Sequence, residues 1–192
     1  MYQNDAPPSF DELLDSARKS AYHLEMRDTY GVADEAVGFA HWQRTGDRDT
    51  DPASPYWEPW VSLISRTVAR GVVVRRARIV SEPVSAYIRY EHSSTVVNLG
   101  AGEDVRWLPR RRASGLALPG NDFWLIDGHF VRFNHFTGDG DWAAREDTEE
   151  PAVAELCATA FAAVWARAVP HDAYEMPSSE HGLDTLAEHV PR

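Results

Sequence analysis

Apolar residues recur along the chain with two periods, one helical and one extended. The first helical stripe follows Ser9, which forms a predicted capping box with Glu12. The last one begins at Glu149-Glu150-Pro151, where acidic side chains favour the start of a helix. The helical pattern predicts four helices: over about 10–20, from Ser54-Pro55 to Gly71, after Ser81-Glu82-Pro83, and from Glu149 until shortly before Pro170.

The extended pattern predicts a set of short strands. Residues 22–27 alternate apolar and polar side chains, and residues 72–80 begin with the β-branched run typical of a central strand. Asp127-Gly128 is a strong hairpin signal. The pattern further predicts strands at 105–108, 122–126 and 130–136, loops at 45–55, 109–120 and 137–141, and either a strand or a short helix at 37–42.

This order of elements favours an α+β (mixed α/β) fold with a mixed sheet and helices on its faces. The chain has 192 residues, of which 43% are hydrophobic, so it can form the core of one domain. We expect that single domain to span residues 9–176. Flexible tails are expected at 1–8 and 177–192, where the sequence is polar and bounded by prolines.

Charge and cysteine content narrow the function classes. The chain has 30 acidic and 19 basic residues, and the formal net charge of −11 argues against a nucleic-acid-binding or membrane-binding protein. The single cysteine, Cys157, excludes an intrachain disulfide, and its place on the apolar stripe of the last helix predicts a core residue. No signal peptide and no membrane-spanning stretch is visible, which predicts a cytoplasmic protein.

The main candidate for chemistry is a concentration of arginine in this acidic chain, on the strand at 72–80 and around the strand at 105–108. Guanidinium groups suit phosphates and carboxylates, and a tryptophan beside them can stack a planar ligand. The predicted anion-binding residues are Arg75, Arg76, Arg78, Arg106, Arg110 and Trp107. In the competing interpretation, these arginines form ion pairs with the surplus acidic residues on solvent-exposed faces, and the tryptophan packs in the core. Runs of charged residues more often have this structural role.

A second group surrounds the hairpin and consists of Asp122, Asp127, His129, His135, Asp139 and Asp141. Carboxylate and imidazole ligands close in sequence suit a divalent metal. However, the turn explains Asp127, and the spacing fits neither an EF-hand loop nor a His-Glu-x-x-His motif. We therefore expect no metal and no cofactor. In an enzyme, His129 or His135 would be the acid–base group.

Several stretches together resemble a known family. They are Ser9 to Leu14, Arg75 to Val84, Tyr87 to Glu91, Gly102 to Arg106, Asn121 to Asp127, Ala168 to Pro170, and Tyr174. The chain resembles an uncharacterised actinobacterial, Streptomyces-type family of unknown function, whose members are often encoded beside helix-turn-helix regulators and small partner proteins. The resemblance implies that the gene lies near genes for regulatory proteins, and it implies no enzymatic activity.

A second likeness concerns the fold. The strand, Asp-Gly, strand sequence is similar to the end of the phospholipase D signature, His-x-Lys-x-x-x-x-Asp. With Asp127 as its last residue, Gly120 stands where the histidine belongs and Asp122 where the lysine belongs. The likeness therefore implies a degenerate, noncatalytic phospholipase D-like half, of a kind that serves as a ligand sensor or a dimerisation module.

Three functions follow as hypotheses. The first is a noncatalytic regulatory or interaction module that senses a small anionic ligand and acts with a helix-turn-helix regulator or a small accessory protein. The second is an enzyme acting on a phosphate-containing or nucleotide substrate, held by the arginines. The third, direct DNA binding, is opposed by the net charge. Association into a homodimer stays open.

Overall fold

A seven-stranded mixed sheet lies at the centre of the computed structural model, which describes residues 7–31 and 33–177. Most of the two predicted tails lies outside these residues. The strands are β1 (Ser20–Glu25), β2 (Val73–Val80), β3 (Asp104–Pro109), β4 (Asp122–Ile126), β5 (Phe130–Phe136), β6 (Trp142–Thr148) and β7 (Val169–Pro170). The helices are α1 (Phe10–Ser16), α2 (Ala33–Thr45), α3 (Glu58–Ala69), α4 (Ala86–Gly100), α5 (Arg110–Ala113) and α6 (Pro151–Arg167), followed by a 3-10 turn at His171–Ala173.

The sheet has the strand order β6-β5-β4-β1-β2-β3-β7. Strands β1, β2 and β3 are parallel, which requires the helical crossovers that α2, α3 and α4 supply. Strand β4 returns antiparallel beside β1, and β5 and β6 continue as antiparallel neighbours. The chain is therefore a single α+β domain with a mixed sheet, as predicted. None of the helices in the described part of the chain is long and apolar enough to cross a membrane.

One face of the sheet is apolar and is covered by α6. The sheet contributes Leu24, Ala77, Ile79, Leu108, Phe123, Leu125 and Val131, and α6 contributes Ala154, Cys157, Phe161 and Val164. Cys157 is fully buried there, which confirms its predicted place in the core, and burial raises the pKa of its thiol to about 11. A thiol in these apolar surroundings is inert.

The opposite face is divided between apolar and polar residues. Helices α1 and α3 cover its apolar part, where Leu14 and Ile64 pack on Ala21 and Val74. Further along the same parallel strands, towards their carboxyl ends, the side chains on this face become charged. The candidate site lies on the charged part of these strands.

The structure differs from the sequence expectations in several elements. Helix α1 ends at Ser16 rather than near residue 20, because the chain becomes extended at Ala17 to enter β1. The segment 37–42, for which the sequence leaves strand and short helix both open, belongs to α2, and residues 96–99 belong to α4. The loop 109–120 contains the short helix α5. Strand β6 was not predicted, because its exposed side chains lack apolar alternation.

The predicted hairpin forms, and Asp127 has a structural role in it. Its backbone has a φ of 51°, a left-handed conformation that aspartate tolerates, and the next residue is Gly128. Its carboxylate accepts hydrogen bonds from the backbone N–H groups of Arg18, Lys19 and Ser20 at 2.9, 2.7 and 2.9 Å. Partial burial would raise the pKa of Asp127, but these amides hold it below its ordinary value.

The first prediction concerns this connection between the hairpin and the start of β1. Replacement of Asp127 by Asn removes the charge and one acceptor oxygen, so we expect the free energy of unfolding to fall by about 1–2 kcal/mol at pH 7. Because the folded-state pKa is lowered, the difference from the wild type should shrink as the pH falls below 3.8. Urea unfolding at several pH values measures it. Asp139→Asn, an exposed change in the next turn, is the control and should have little effect. A similar loss in both variants would contradict the assigned role.

Candidate functional site

Two strands supply the charged side chains of the polar face. Alternate residues of a strand point to the same side, so His23 and Glu25 of β1 lie beside Arg76 and Arg78 of β2. The register pairs His23 with Arg76 and Glu25 with Arg78. All four residues are buried, and the side chain of Arg78 is only 6% exposed.

The buried arginines are held by carboxylates from β1, from α4 and from the loop before β3. Arg76 donates through Nε to Glu103 at 2.8 Å and through Nη1 to Glu25. Arg78 places Nε 2.8 Å from the second oxygen of Glu25 and donates through Nη2 to Glu91 at 2.8 Å. Glu25 therefore lies between two guanidinium groups. We call the five residues Glu25, Arg76, Arg78, Glu91 and Glu103 the buried charge network.

The network sets the protonation state of its members. Burial would raise the pKa of Glu25, but Arg78 and Arg76 outweigh burial and lower it to about 2, so Glu25 is ionised at neutral pH. Burial opposes the charge of Arg78, yet Glu25 and Glu91 raise its pKa above the usual arginine value. Burial lowers the pKa of His23 to about 3, so its imidazole is neutral.

Two further carboxyl groups near the network behave in the opposite way. Burial, together with the nearby charge of Glu91, raises the pKa of Glu35 to about 7. Burial likewise raises the pKa of Asp122 to about 6. Each accepts a hydrogen bond from a tyrosine, Glu35 from Tyr87 and Asp122 from Tyr30. Groups that titrate near neutral pH in a cleft are typical of functional sites.

Three cavities that share Arg76 as a wall open over this face, and together we call them the central cleft. The first, about 320 Å³, is lined by Arg76, Arg78, Glu35, Glu91 and the tryptophans Trp57 and Trp60. The second, about 340 Å³, extends over β4, β5 and β6. The third, about 170 Å³, lies at the acidic end beside Glu25 and Asp122. The first two have the size of small-molecule sites, and the third is smaller.

Unpartnered hydrogen-bonding groups in the cleft are chiefly donors. Among the described residues, Arg78 Nη1 and Trp60 Nε1 are buried and have no hydrogen-bond acceptor. Both ring nitrogens of His23 also lack a hydrogen bond, although Nδ1 lies 3.3 Å from Glu25. A buried donor without an acceptor costs about 1–3 kcal/mol. The cleft therefore favours a ligand that supplies acceptor oxygens.

The predicted arginine set divides between the two faces of the sheet. Arg76 and Arg78 line the central cleft, but Arg75 and Arg106 lie on the opposite face and flank Trp165 of α6. Their guanidinium carbons lie 4.9 and 4.2 Å from the centre of that ring. The expected joint site therefore does not form. The cause is strand geometry, since neighbouring residues of a strand point to opposite sides.

Two other members of the set have structural positions. Arg110 donates to the backbone oxygens of Met26 and Ile79 at 2.6 and 3.1 Å, and to Ser81 Oγ at 2.9 Å. It connects the ends of β1 and β2 and lies outside the cleft. Trp107 is fully buried and its indole N–H donates to His171 Nδ1 at 3.2 Å, so it packs in the core, as the competing interpretation predicts.

The histidines proposed for acid–base chemistry lie apart from the cleft. His129 is exposed in the hairpin turn, and His135 of β5 pairs with Glu146 of β6 at 3.1 Å. Within residues 7–31 and 33–177, no group of three or more His, Cys, Asp or Glu side chains has the arrangement of a metal site. Of the acidic group near the hairpin, Asp122 reaches the cleft.

Sequence reasoning missed most of the cleft. The sequence places His23 and Glu25 only on a half-buried strand, and Glu35 lies in the stretch 28–41, for which it predicts no definite element. The available signal was charge at alternate positions of two predicted strands, His-x-Glu in one and Arg-x-Arg in the next. That pattern indicates a shared polar face once the two strands are known to be neighbours.

The second prediction tests the buried charge network. Arg76→Met leaves the fully buried carboxylate of Glu103 without its guanidinium, so we expect a loss of about 3–5 kcal/mol in the free energy of unfolding. The double variant Arg76→Met/Glu103→Gln should recover part of this loss. Arg66→Met removes an exposed ion pair with Asp15 and serves as the control, with little expected effect. Chemical denaturation of the three variants measures this, and equal losses in Arg76→Met and Arg66→Met would contradict the assignment.

The third prediction follows from the raised pKa of Glu35. Its folded-state pKa exceeds the ordinary value of 4.5, so its contribution to stability is full below pH 4.5 and is lost as the pH rises through about 7. The Glu35→Gln variant cannot ionise there, so it should become more stable than the wild type between pH 7 and 8. Urea unfolding from pH 5 to 8 measures the difference. Glu58→Gln, an exposed change at the start of α3, should follow the wild type at every pH. A constant offset for Glu35→Gln would contradict the prediction.

Comparisons with known proteins identify the family and a distant likeness in fold. No curated protein matches the chain in sequence. A phospholipase D family member, Nuc from Salmonella typhimurium, has 14% identity and a TM-score of 0.45 over 83% of this chain and 86% of its own. TrmBL2, an archaeal chromatin protein described as showing a novel mode of DNA binding, has 13% identity and a TM-score of 0.45 over 82% of this chain and 47% of its own. The family model described as "Domain of unknown function (DUF6879)" matches residues 8–176, and the chain therefore belongs to this family of unknown function.

Proposed function

We propose that the protein is a noncatalytic regulatory module that binds a small anionic ligand in the central cleft. The observation that carries the proposal is Arg78, which lines the cavity of about 320 Å³ while its Nη1 has no acceptor among the described residues. A carboxylate or phosphate oxygen brought to this wall would supply the missing acceptor. Guanidinium groups favour such oxygens because they present several donors in a fixed plane.

A charge count alone would favour neither sign of ligand, because the walls of the cleft carry four carboxyl groups and four guanidinium groups. The hydrogen-bond count decides between the two. Glu25 and Glu91 are paired with the arginines, and Glu35 accepts from Tyr87. With a pKa of about 7, Glu35 is also partly neutral at physiological pH. Among the described residues of the cleft, the groups left without partners are N–H donors, apart from one ring nitrogen of the neutral His23, and these donors require an acceptor.

The regulatory part of the proposal concerns the partner. The family that the sequence resembles suggests a helix-turn-helix regulator or a small accessory protein, and the net charge of −11 suits a basic, DNA-binding partner. Binding of the anion would then change the affinity for that partner, since a ligand shifts whichever conformation it prefers.

The fourth prediction tests the anion site with inorganic phosphate and acetate as probes. Arg78→Lys keeps a positive charge beside Glu25 and Glu91 but loses the planar set of donors, so we expect about tenfold weaker binding by titration calorimetry. Arg75→Lys is the matched control, because it makes the same change on the same strand but on the opposite face. Binding to Arg75→Lys should equal that of the wild type.

Two results would contradict the proposal. One is that neither probe binds the wild-type chain at millimolar concentration, and the other is that the two lysine variants weaken binding equally. Circular dichroism of both variants should show that each remains folded. A folded Arg78→Lys that binds as tightly as the wild type would also exclude Arg78 as the anion-binding group.

A second candidate function is an enzyme acting on a phosphate-containing or nucleotide substrate. The observation that favours it is Glu35, whose pKa of about 7 suits a general acid or base. In this alternative Glu35 replaces His129 and His135, which lie outside the cleft. Hydrolysis of a nitrophenyl phosphate by the wild type that is abolished in a folded Glu35→Gln variant would favour the enzyme over the sensor.

A further inference from the structure

The second cavity of the central cleft has aromatic walls, and we call it the aromatic cavity. Its volume is about 340 Å³, and its walls include Phe10 of α1, Trp60 of α3, Trp124 of β4 and Trp142 of β6. The ring centroids of Phe10 and Trp60 are 5.9 Å apart, and those of Phe10 and Trp124 are 4.9 Å apart. Three of the walls therefore support one another and form a fixed apolar surface.

The fourth aromatic wall lacks such support. Trp142 is 57% exposed on the edge strand β6, while the other tryptophans of this cavity are at least half-buried. It has no aromatic neighbour among the described residues. An exposed indole at the edge of a cavity leaves a large apolar surface in water, and a flat ring inserted beside it would cover that surface.

The polar groups of the aromatic cavity complete the description of its ligand. They include three guanidinium groups, from Arg76, Arg132 and Arg145, and no carboxylate lines this cavity among the residues the structure describes. Trp60 Nε1 and the ring nitrogens of His23, which also lie in its walls, have no hydrogen-bond partner there. The imidazole of His23 stacks on Trp124 with the ring centroids 4.2 Å apart.

The aromatic cavity is continuous with the anion site through shared walls. Arg76 and Trp60 line both this cavity and the one that contains Arg78. A molecule that places its anionic group at Arg78 can therefore extend past Arg76 towards the three tryptophans. The guanidinium carbon of Arg76 lies 5.3 Å from the Trp60 ring centre and 5.9 Å from that of Trp124, so the charge already lies against the aromatic walls.

We infer that the ligand of the central cleft is an anion that carries a planar aromatic ring, with the ring bound between Trp142 and the opposite aromatic walls. This inference rests on the proposed function and specifies its ligand class. The ring would cover Trp142 and would bring its polar edge atoms towards Trp60 and His23. The anionic group would lie at Arg76 and Arg78, between the two cavities.

The fifth prediction uses two carboxylates with the same carbon skeleton, one aromatic and one saturated. 2-Naphthoate is flat, whereas decahydro-2-naphthoate has the same carbon skeleton and charge but is puckered. We expect 2-naphthoate to bind the wild type about three- to tenfold more tightly in titration calorimetry, the usual size of an aromatic contact. Trp142→Ala should remove this preference, and Trp142→Phe should retain most of it. Leu156→Ala, which truncates an exposed apolar residue of α6, should leave it unchanged.

The outcomes separate this inference from the proposed function. If both carboxylates bind in an Arg78-dependent way but with equal affinity, the anion site stands and the aromatic ligand class is overturned. The same holds if Trp142→Ala keeps the full preference for 2-naphthoate. If neither carboxylate nor phosphate binds in an Arg78-dependent way, the proposed function itself fails.

Discussion

The position of Glu25 between Arg76 and Arg78 is the constraint on which the polar face of the sheet depends. Each guanidinium is buried and would be destabilising without a carboxylate close by, and Glu25 is shared by both. Glu25 also has a geometric role, because its ion pairs connect β1 to both arginines of β2. They favour the register of the two strands that places His23 beside Arg76. Glu91 and Glu103 extend the same pairing to α4 and to the loop before β3.

The buried charge network also explains where the cleft lies. The parallel strands β1 and β2 are apolar where α1 and α3 cover them and charged towards their carboxyl ends. In sheets with parallel strands, ligands commonly bind beyond the carboxyl ends, because the crossover helices leave a crevice there. Here the crevice has walls of both kinds, aromatic residues on one side of Arg76 and carboxyl groups on the other. Well-packed apolar residues in the same place are often at least as stabilising as a buried ion pair, so stability alone does not account for the charged residues.

The sequence predicts the elements better than the site, for identifiable reasons. Capping at Ser9, the β-branched run of β2 and the Asp-Gly turn are local signals, and each of them leads to an observed element. Strand β6 is not predicted from the sequence, because its side chains are mostly exposed and do not alternate between apolar and polar. The arginines were grouped by nearness in sequence, although Arg75 and Arg76 must point to opposite sides of a strand. The pairing of Glu25 with Arg78 depends on β1 lying next to β2 across about fifty intervening residues, which no local pattern contains.

The net charge of the chain and the hydrogen bonding of the cleft give different answers about the proposed ligand, and hydrogen bonding is the better guide inside a buried site. Each carboxylate of the buried charge network already has a partner, so the acidic residues of the chain do not by themselves make the cleft a cation site. Among the described residues of the cleft, the hydrogen-bonding groups without a partner belong to Arg78, Trp60 and His23. The first two are N–H donors, and the third is a neutral imidazole. In a low-dielectric cleft, an N–H donor without an acceptor is destabilising. A ligand that removes this penalty must present acceptor oxygens or acceptor ring nitrogens. The acidic composition of the whole chain therefore does not decide the ligand, and the proposed preference for an anion rests on a few donors inside the cleft.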